Sequence, residues 1–238
     1  LGDYLMTEII EAGNIASRRT FFSEEKFQQS YEASISDPND FWATQAMEFL
    51  TWQQTWSHVS RCNMARGEIE WCLDGKLNAS ENCIDRHLAD KANRTAIIWE
   101  GDDPGDSKKI SYRDLFEEVC KLANGLKSLG VKKGDRVCIY MPMIPEAAFA
   151  MLSCARIGAI HSVVFGGFSP QALEDRILDA DCHFVITANE GLRGGKIIPL
   201  KQNVDKALEN CPNVKCVIVA KRTENDVNWV DSRDFWYE

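Results

Sequence analysis

The sequence predicts an α/β protein, with a helical N-terminal layer followed by an open, mostly parallel sheet carrying helices on its faces. Three observations lead there. From Ser111 onward, amphipathic helical segments alternate with short apolar, β-rich runs, the order expected of strands joined by helical crossovers. Two of those runs, AIHSVVF (159–165) and FVITAN (184–189), are followed closely by glycines, at the sheet edge where α/β proteins place ligands. Before residue 90 the alternation is missing, and tryptophans at 42, 52, 56 and 71 sit among helix-start signals. The chain therefore divides into residues 1–90, a helical extension with a Trp-rich packing surface, and residues 91–238, an α/β subdomain incomplete at its C-terminal end.

Taken in order, residues 1 to about 20 are mixed and read as frayed or helical. Ser23-Glu24-Glu25 opens one helix and Asp37-Pro38 the next, with helical character extending to about residue 60. Phe41, Trp42, Ala46, Phe49 and Leu50 mark the apolar face of the second. In residues 71–91, Gly75 marks a loop and a helix starts near Ser80, turning Cys83, Ile84, His87 and Leu88 inward. TAIIWE (95–100) is a strand, GDDPGDSKK a polar turn, and ISY its returning partner. Ser111 caps a long helix carrying Leu115, Val119, Leu122, Leu126 and Leu129, closed by Gly130. VCIYMP (137–142) is a buried strand, and Pro145 opens a helix that Gly158 ends. After AIHSVVF, Ser169 and Pro170 supply an N-cap and a first helical position for a helix to about Ala180. FVITAN, a helix from about Pro199 to Asn210 and the strand CVIVAK (216–221) complete a sheet of about four strands. The last ten residues, WVDSRDFWYE, are polar and aromatic and contain no closing element, so the chain is expected to be the front part of something larger.

Composition narrows the function. Of 238 residues, 45% are hydrophobic and 26% charged, with a net charge of −9, which argues against general binding to nucleic acid or anionic membranes. The most apolar region, 139–168, is broken by Pro142, Pro145, Glu146 and Arg156, so no membrane span is expected. The N-terminus lacks the basic start and apolar block of a signal peptide. Nine cysteines without a Cys-x-x-Cys pair fit a reducing, cytoplasmic setting, with Cys120, Cys138, Cys154 and Cys182 as small buried hydrophobes. The four histidines show no metal-ligand spacing, and His161 and His183 are expected at core or turn positions.

Two turns carry the candidate chemistry. After Phe165, Gly166-Gly167 lets the backbone turn sharply or approach a ligand closely. After FVITAN, the stretch Glu190-Gly191-Leu192-Arg193-Gly194-Gly195-Lys196 adds two cations to a second glycine turn, which suggests an anion such as a phosphate. A tight turn with solvated charges is the competing reading. GLRGGKI lacks the spacer and the Ser/Thr of a P-loop, and FGGFSP lacks the spacing of a dinucleotide fold.

Longer strings go further. DGKLNASENCIDRH (74–87), AIIWEGDDPGDSKKISYRDL (96–115), the run from Gly134 to Leu173 and ITANEGLRGGK (186–196) closely resemble the AMP-forming acetate–CoA ligases of the adenylate-forming superfamily. The resemblance covers nearly everything from about residue 20. It implies that this chain is part of the large N-terminal domain of such an enzyme, which makes acetyl-adenylate from acetate and MgATP and passes the acetyl group to CoA. It also implies that Phe165, Gly166, Gly167, Arg193, Gly194, Gly195 and Lys196 contact the nucleotide end of CoA, the two cations facing its 3′-phosphate. Lys196 stands where the family pattern often has Arg; it keeps the charge but loses bidentate geometry. The family's Ser/Thr/Gly-rich loop ending in Lys, its acetate pocket and its C-terminal catalytic domain, and with them the ATP and Mg sites, have no match in these residues, so the chain alone is expected to be inactive and to need the C-terminal part of its own chain. A propionate or other short-chain ligase, or a non-catalytic module binding a nucleotide or a protein, are the alternatives.

Overall fold

A computed structural model describes residues 23–238. The expectation for residues 1 to about 20 lies outside them. The chain forms two compact units, divided between Lys76 and Leu77.

Among the described residues of the first unit, two capped helices come first. Ser23 accepts the Lys26 N–H at the start of α1 (Glu24–Ser36), and the Asp37 carboxylate accepts the Asp40 N–H at the start of α2 (Pro38–Phe49). Helix does not continue to residue 60. Instead β1 (His58–Asn63) pairs antiparallel with β2 (Glu68–Leu73), placing Ser60 opposite Trp71 and Cys62 opposite Ile69. In β2 the run Glu68-Ile69-Glu70-Trp71 alternates in polarity with a period of two, which a helix cannot use. Trp42 meets Trp71 edge-on at 6.4 Å, and with Phe49 and Leu50 they line an apolar cleft of about 560 Å³.

The second unit starts with α3 (Ala79–Cys83), one turn of 3₁₀ helix, and α4 (Leu88–Lys91). Ile84 is fully buried with Ile110, Leu115, Val119 and Phe149. Cys83, expected to face inward, is exposed, because the helix stops there and Ile84 leaves the helical conformation (φ −124°, ψ −67°). The β3–β4 hairpin (Thr95–Glu100, Ser107–Ser111) leads into α5 (Tyr112–Ser128). Its start is a reciprocal capping box between Ser111 and Asp114, and Leu115, Val119, Leu122 and Leu126 form the buried stripe.

The sheet is wholly parallel and has five strands rather than four: β5 (Arg136–Met141), β6 (Ile160–Phe165), β7 (Phe184–Ala188), β10 (Cys216–Ala220) and β11 (Asp234–Trp236). Helices α6 (Pro145–Ile157), α7 (Pro170–Asp179) and α8 (Leu200–Leu208) supply crossovers; between β7 and α8 lies a separate small hairpin, β8 (Gly191–Arg193) with β9 (Lys196–Ile198). The fifth strand comes from the terminal stretch that showed no closing element. Three residues beginning with an aspartate carry little strand signal, yet Val217 pairs Asp234 and Val219 pairs Trp236.

The spatial order is β6-β5-β7-β10-β11. The chain steps from β5 to one side, then returns to the other, so the order reverses around β5, and ligand crevices form at the C-terminal ends beside such a reversal. As an edge strand, β6 leaves Ile160, Val163 and Phe165 exposed, while β5, β7 and β10 carry the core. Burial pushes the thiols of Cys154 up to about 12 and of Cys182 and Cys216 up to about 11, so these cysteines act as hydrophobes. Cys120 is only half-buried. His161 lies exposed on β6, and His183 sits 3.2 Å from Asp181 in the turn before β7.

Candidate functional site

Both glycine turns lie at the C-terminal edge of the sheet. Phe165 ends β6, and its carbonyl accepts the Phe168 N–H at 2.9 Å, closing a tight turn over Gly166-Gly167. A Cβ at Gly166 would lie 3.0 Å from the Met141 carbonyl at the end of β5, so a side chain there would press the turn off its neighbouring strand. Beneath it, the fully buried Tyr140 donates its hydroxyl proton to the carbonyl of Phe168 (2.8 Å) or Gly166 (3.2 Å), and accepts from Asn203 (3.2 Å). Burial raises the phenol pKa, so the hydroxyl remains a neutral donor holding the turn in place.

The second turn is a two-residue hairpin. Gly194 and Gly195 have φ of +54° and +74°, the left-handed pair that matches the twist of antiparallel strands in the tightest hairpin type. Its consequence for charge is direct. Arg193 and Lys196 are paired across the hairpin next to the turn, which sets two cations on one face. Like charges placed directly opposite each other destabilise a hairpin, and an anion between them removes that cost. The other face carries Leu192 and Ile197, both exposed.

The two turns meet through Arg193. Its guanidinium lies 5.1 Å from the centre of the Phe165 ring, and a Cβ at Gly167 would strike that ring at 2.6 Å and the guanidinium at 3.0 Å. The structure thus brings Phe165, Gly167 and Arg193 into one cluster, sets Lys196 opposite Arg193, and leaves Gly166 packed against β5. Phe168 contacts Phe165 edge-on at 5.9 Å and carries Arg176 on its own face at 4.8 Å. One edge therefore presents aromatic rings, guanidinium groups and backbone free of side chains, a surface able to take a planar ring bearing a phosphate.

Residues that sequence reasoning passed over frame this cluster. The Trp99 indole N–H donates to the Met143 carbonyl (2.7 Å), and its ring faces both Arg222 and Lys108. Arg222 bonds Asp106 at 2.7 Å, and the Gly194 N–H donates to Asp102 at 2.9 Å. Asn189, completely buried, ties the loops after β7 and β10 together. Only Asn189 had a visible signal, a polar residue closing an apolar strand run. Among the described residues no group of His, Cys, Asp or Glu could hold a metal ion, and no helix is long and apolar enough to cross a membrane.

Comparison with known proteins agrees with this fold. A family model described as AMP-binding enzyme matches residues 84–236. The chain belongs to that family. Upstream, a second model, acetyl-coenzyme A synthetase N-terminus, matches residues 27–83. Acetyl-coenzyme A synthetase 2 of Pseudomonas putida is 61% identical over 221 residues, 93% of this chain and 34% of the relative. Acetyl-coenzyme A synthetase of Alkalilimnicola ehrlichii is 54% identical over 231 residues, 97% of this chain and 36% of the relative. The chain thus spans about a third of the length of these relatives. Among solved structures, acetoacetyl-CoA synthetase from Streptomyces lividans shares the fold with a TM-score of 0.79 at 21% identity, over 95% of this chain and 32% of that one.

Proposed function

We propose that this chain is the part of an AMP-forming acetate–CoA ligase that receives the nucleotide end of CoA. Acetate, ATP and CoA are the substrates of that reaction, and AMP, pyrophosphate and acetyl-CoA its products, by way of acetyl-adenylate. The observation that carries the reading is the pairing of Arg193 with Lys196 across Gly194-Gly195, with Arg193 resting on Phe165. Two cations at a tight turn suit a phosphate, while the Phe165 and Phe168 rings suit the adenine beside it. The relatives' names supply the acyl group.

The chemistry on ATP needs charge stabilisation around the transferring phosphoryl group, for which these 238 residues hold no Ser/Thr/Gly-rich loop ending in Lys. This chain by itself is therefore expected to form no acetyl-adenylate, and pyrophosphate release from acetate and MgATP by the purified chain would overturn that assignment. In a complete enzyme carrying these residues, Arg193→Ala is expected to raise the KM for CoA by about tenfold, one charged contact to phosphate, with the KM for ATP nearly unchanged. Equal changes in both would make the hairpin structural.

A further inference from the structure

The β8–β9 hairpin is held at its tip as well as its base. The backbone N–H of Gly194, first residue of the turn, donates to the Asp102 carboxylate at 2.9 Å, a contact between residues 92 apart in the chain. Asp102 belongs to the loop at the tip of the β3–β4 hairpin, and that loop is itself fixed. Gly101 N–H donates to the Asp106 carbonyl (2.7 Å), Gly105 N–H to the Asp103 carboxylate (2.9 Å), and the Asp106 carboxylate takes Arg222 at 2.7 Å. The Arg222 N–H in turn donates to Asn189, two residues before β8. These bonds close a circuit from the base of the hairpin, through the loop after β10 and the β3–β4 tip, back to the hairpin's turn.

A two-residue turn of glycines has the freest backbone a chain can offer, and a hairpin of three-residue strands is not stable by itself. Without an anchor, the direction in which Arg193 and Lys196 point would vary with the turn. We propose that Asp102 is the positioning residue of the anion site, its carboxylate latching the turn through the Gly194 N–H so that Arg193 stays over Phe165. The proposal rests on the reading that this hairpin receives a phosphorylated ligand. The carboxylate acts as a hydrogen-bond acceptor, so an asparagine, which retains an acceptor oxygen, should serve in its place, whereas alanine cannot.

The test compares Asp102→Ala, Asp102→Asn and Arg193→Ala in this chain, using amide hydrogen exchange at Gly194 and titration with adenosine 3′,5′-bisphosphate as the probe. Asp102 is exposed at a loop tip, so neither variant threatens the core. The expected result for Asp102→Ala is exchange at Gly194 faster by about tenfold, from the lost hydrogen bond, and nucleotide affinity lower by about threefold to tenfold. Asp102→Asn is expected to restore both to within about twofold, since the acceptor remains. If both variants tighten binding, the carboxylate is a repelling charge and the latch is wrong. Loss with asparagine equal to that with alanine, or no change with either, also overturns it. If Arg193→Ala binds like the wild-type chain, or the wild-type chain does not bind, the anion reading fails and the latch proposal with it. If Arg193→Ala weakens binding while Asp102→Ala does not, the latch alone is wrong.

Discussion

Lys201→Met is expected to destabilise this chain by about 3–5 kcal/mol, the cost of leaving two carboxylates, Asp234 buried and Asp205 half-buried, with one cation between them. Lys201 has no exposed surface, and its ammonium donates to both Asp205 oxygens (2.7 and 2.9 Å) and to the Asn228 carbonyl, with Asp234 at 2.8 Å. Arg233 completes the cluster, bonding Asp205 at 2.6 Å and Asp234 at 2.7 Å. Methionine keeps the volume and removes one of two cations from a pair of carboxylates. Because Asp234 begins β11, that strand should open first, separating the Trp229–Trp236 stack, whose rings lie 4.4 Å apart. Urea unfolding followed by near-ultraviolet circular dichroism reads both effects. An unchanged midpoint would show that the cluster contributes nothing net.

The same cluster sets an acid limit. Burial alone would raise the Asp234 carboxyl pKa, but hydrogen bonds from Arg233, Lys201 and the Val230 N–H outweigh it and hold the group below its ordinary value. A depressed folded pKa adds stability that is fully present above the unfolded pKa and lost as pH falls through the folded one, here below about pH 4. In Lys201→Met the burial effect gains ground, so acid unfolding should begin at higher pH than in the wild-type chain.

What could be read in the sequence was what is encoded locally. Ser111 with Asp114, Ser169 with Pro170, and Pro145 start helices using groups within one turn, and each starts where the pattern placed it. The core strands showed as apolar runs because β5, β7 and β10 are covered on both faces. What was missed depends on distant partners. Lys201 and Asp205 look in sequence like an exposed helical ion pair, and only the return of residues 228–234 buries them. Likewise β1–β2 lacks a strong turn signal and β11 is three residues long. At the candidate site the glycine turns were legible. Tyr140 looked like any core residue, and nothing in GDDPGD announces that Asp102 reaches Gly194.

Asn189→Leu is the second large effect expected, a loss of about 3 kcal/mol or more from stranded hydrogen-bonding groups. The buried carboxamide oxygen accepts from the N–H groups of Glu190 (2.9 Å), Arg222 (2.8 Å) and Thr223 (3.3 Å). Its nitrogen donates to Thr223 Oγ1 (3.0 Å) and to the carbonyls of Thr223 (2.9 Å) and Asn225 (3.3 Å). Leucine fills similar space and leaves three N–H donors and the facing carbonyls without that partner, in a place where water has little access. Thr223→Val, which removes the hydroxyl that accepts from Asn189 and donates to the Glu190 carboxylate (2.6 Å) while sparing the backbone bonds, should cost less, about 1–2 kcal/mol. The contrast separates the carboxamide's bonds to the backbone from the two bonds of one side-chain hydroxyl, and equal losses in the two variants would mean that Asn189 merely packs. Because Asn189 also anchors the base of the β8–β9 hairpin, its loss should speed amide exchange from Gly191 to Ile198, whereas Thr223→Val should leave that exchange close to wild type.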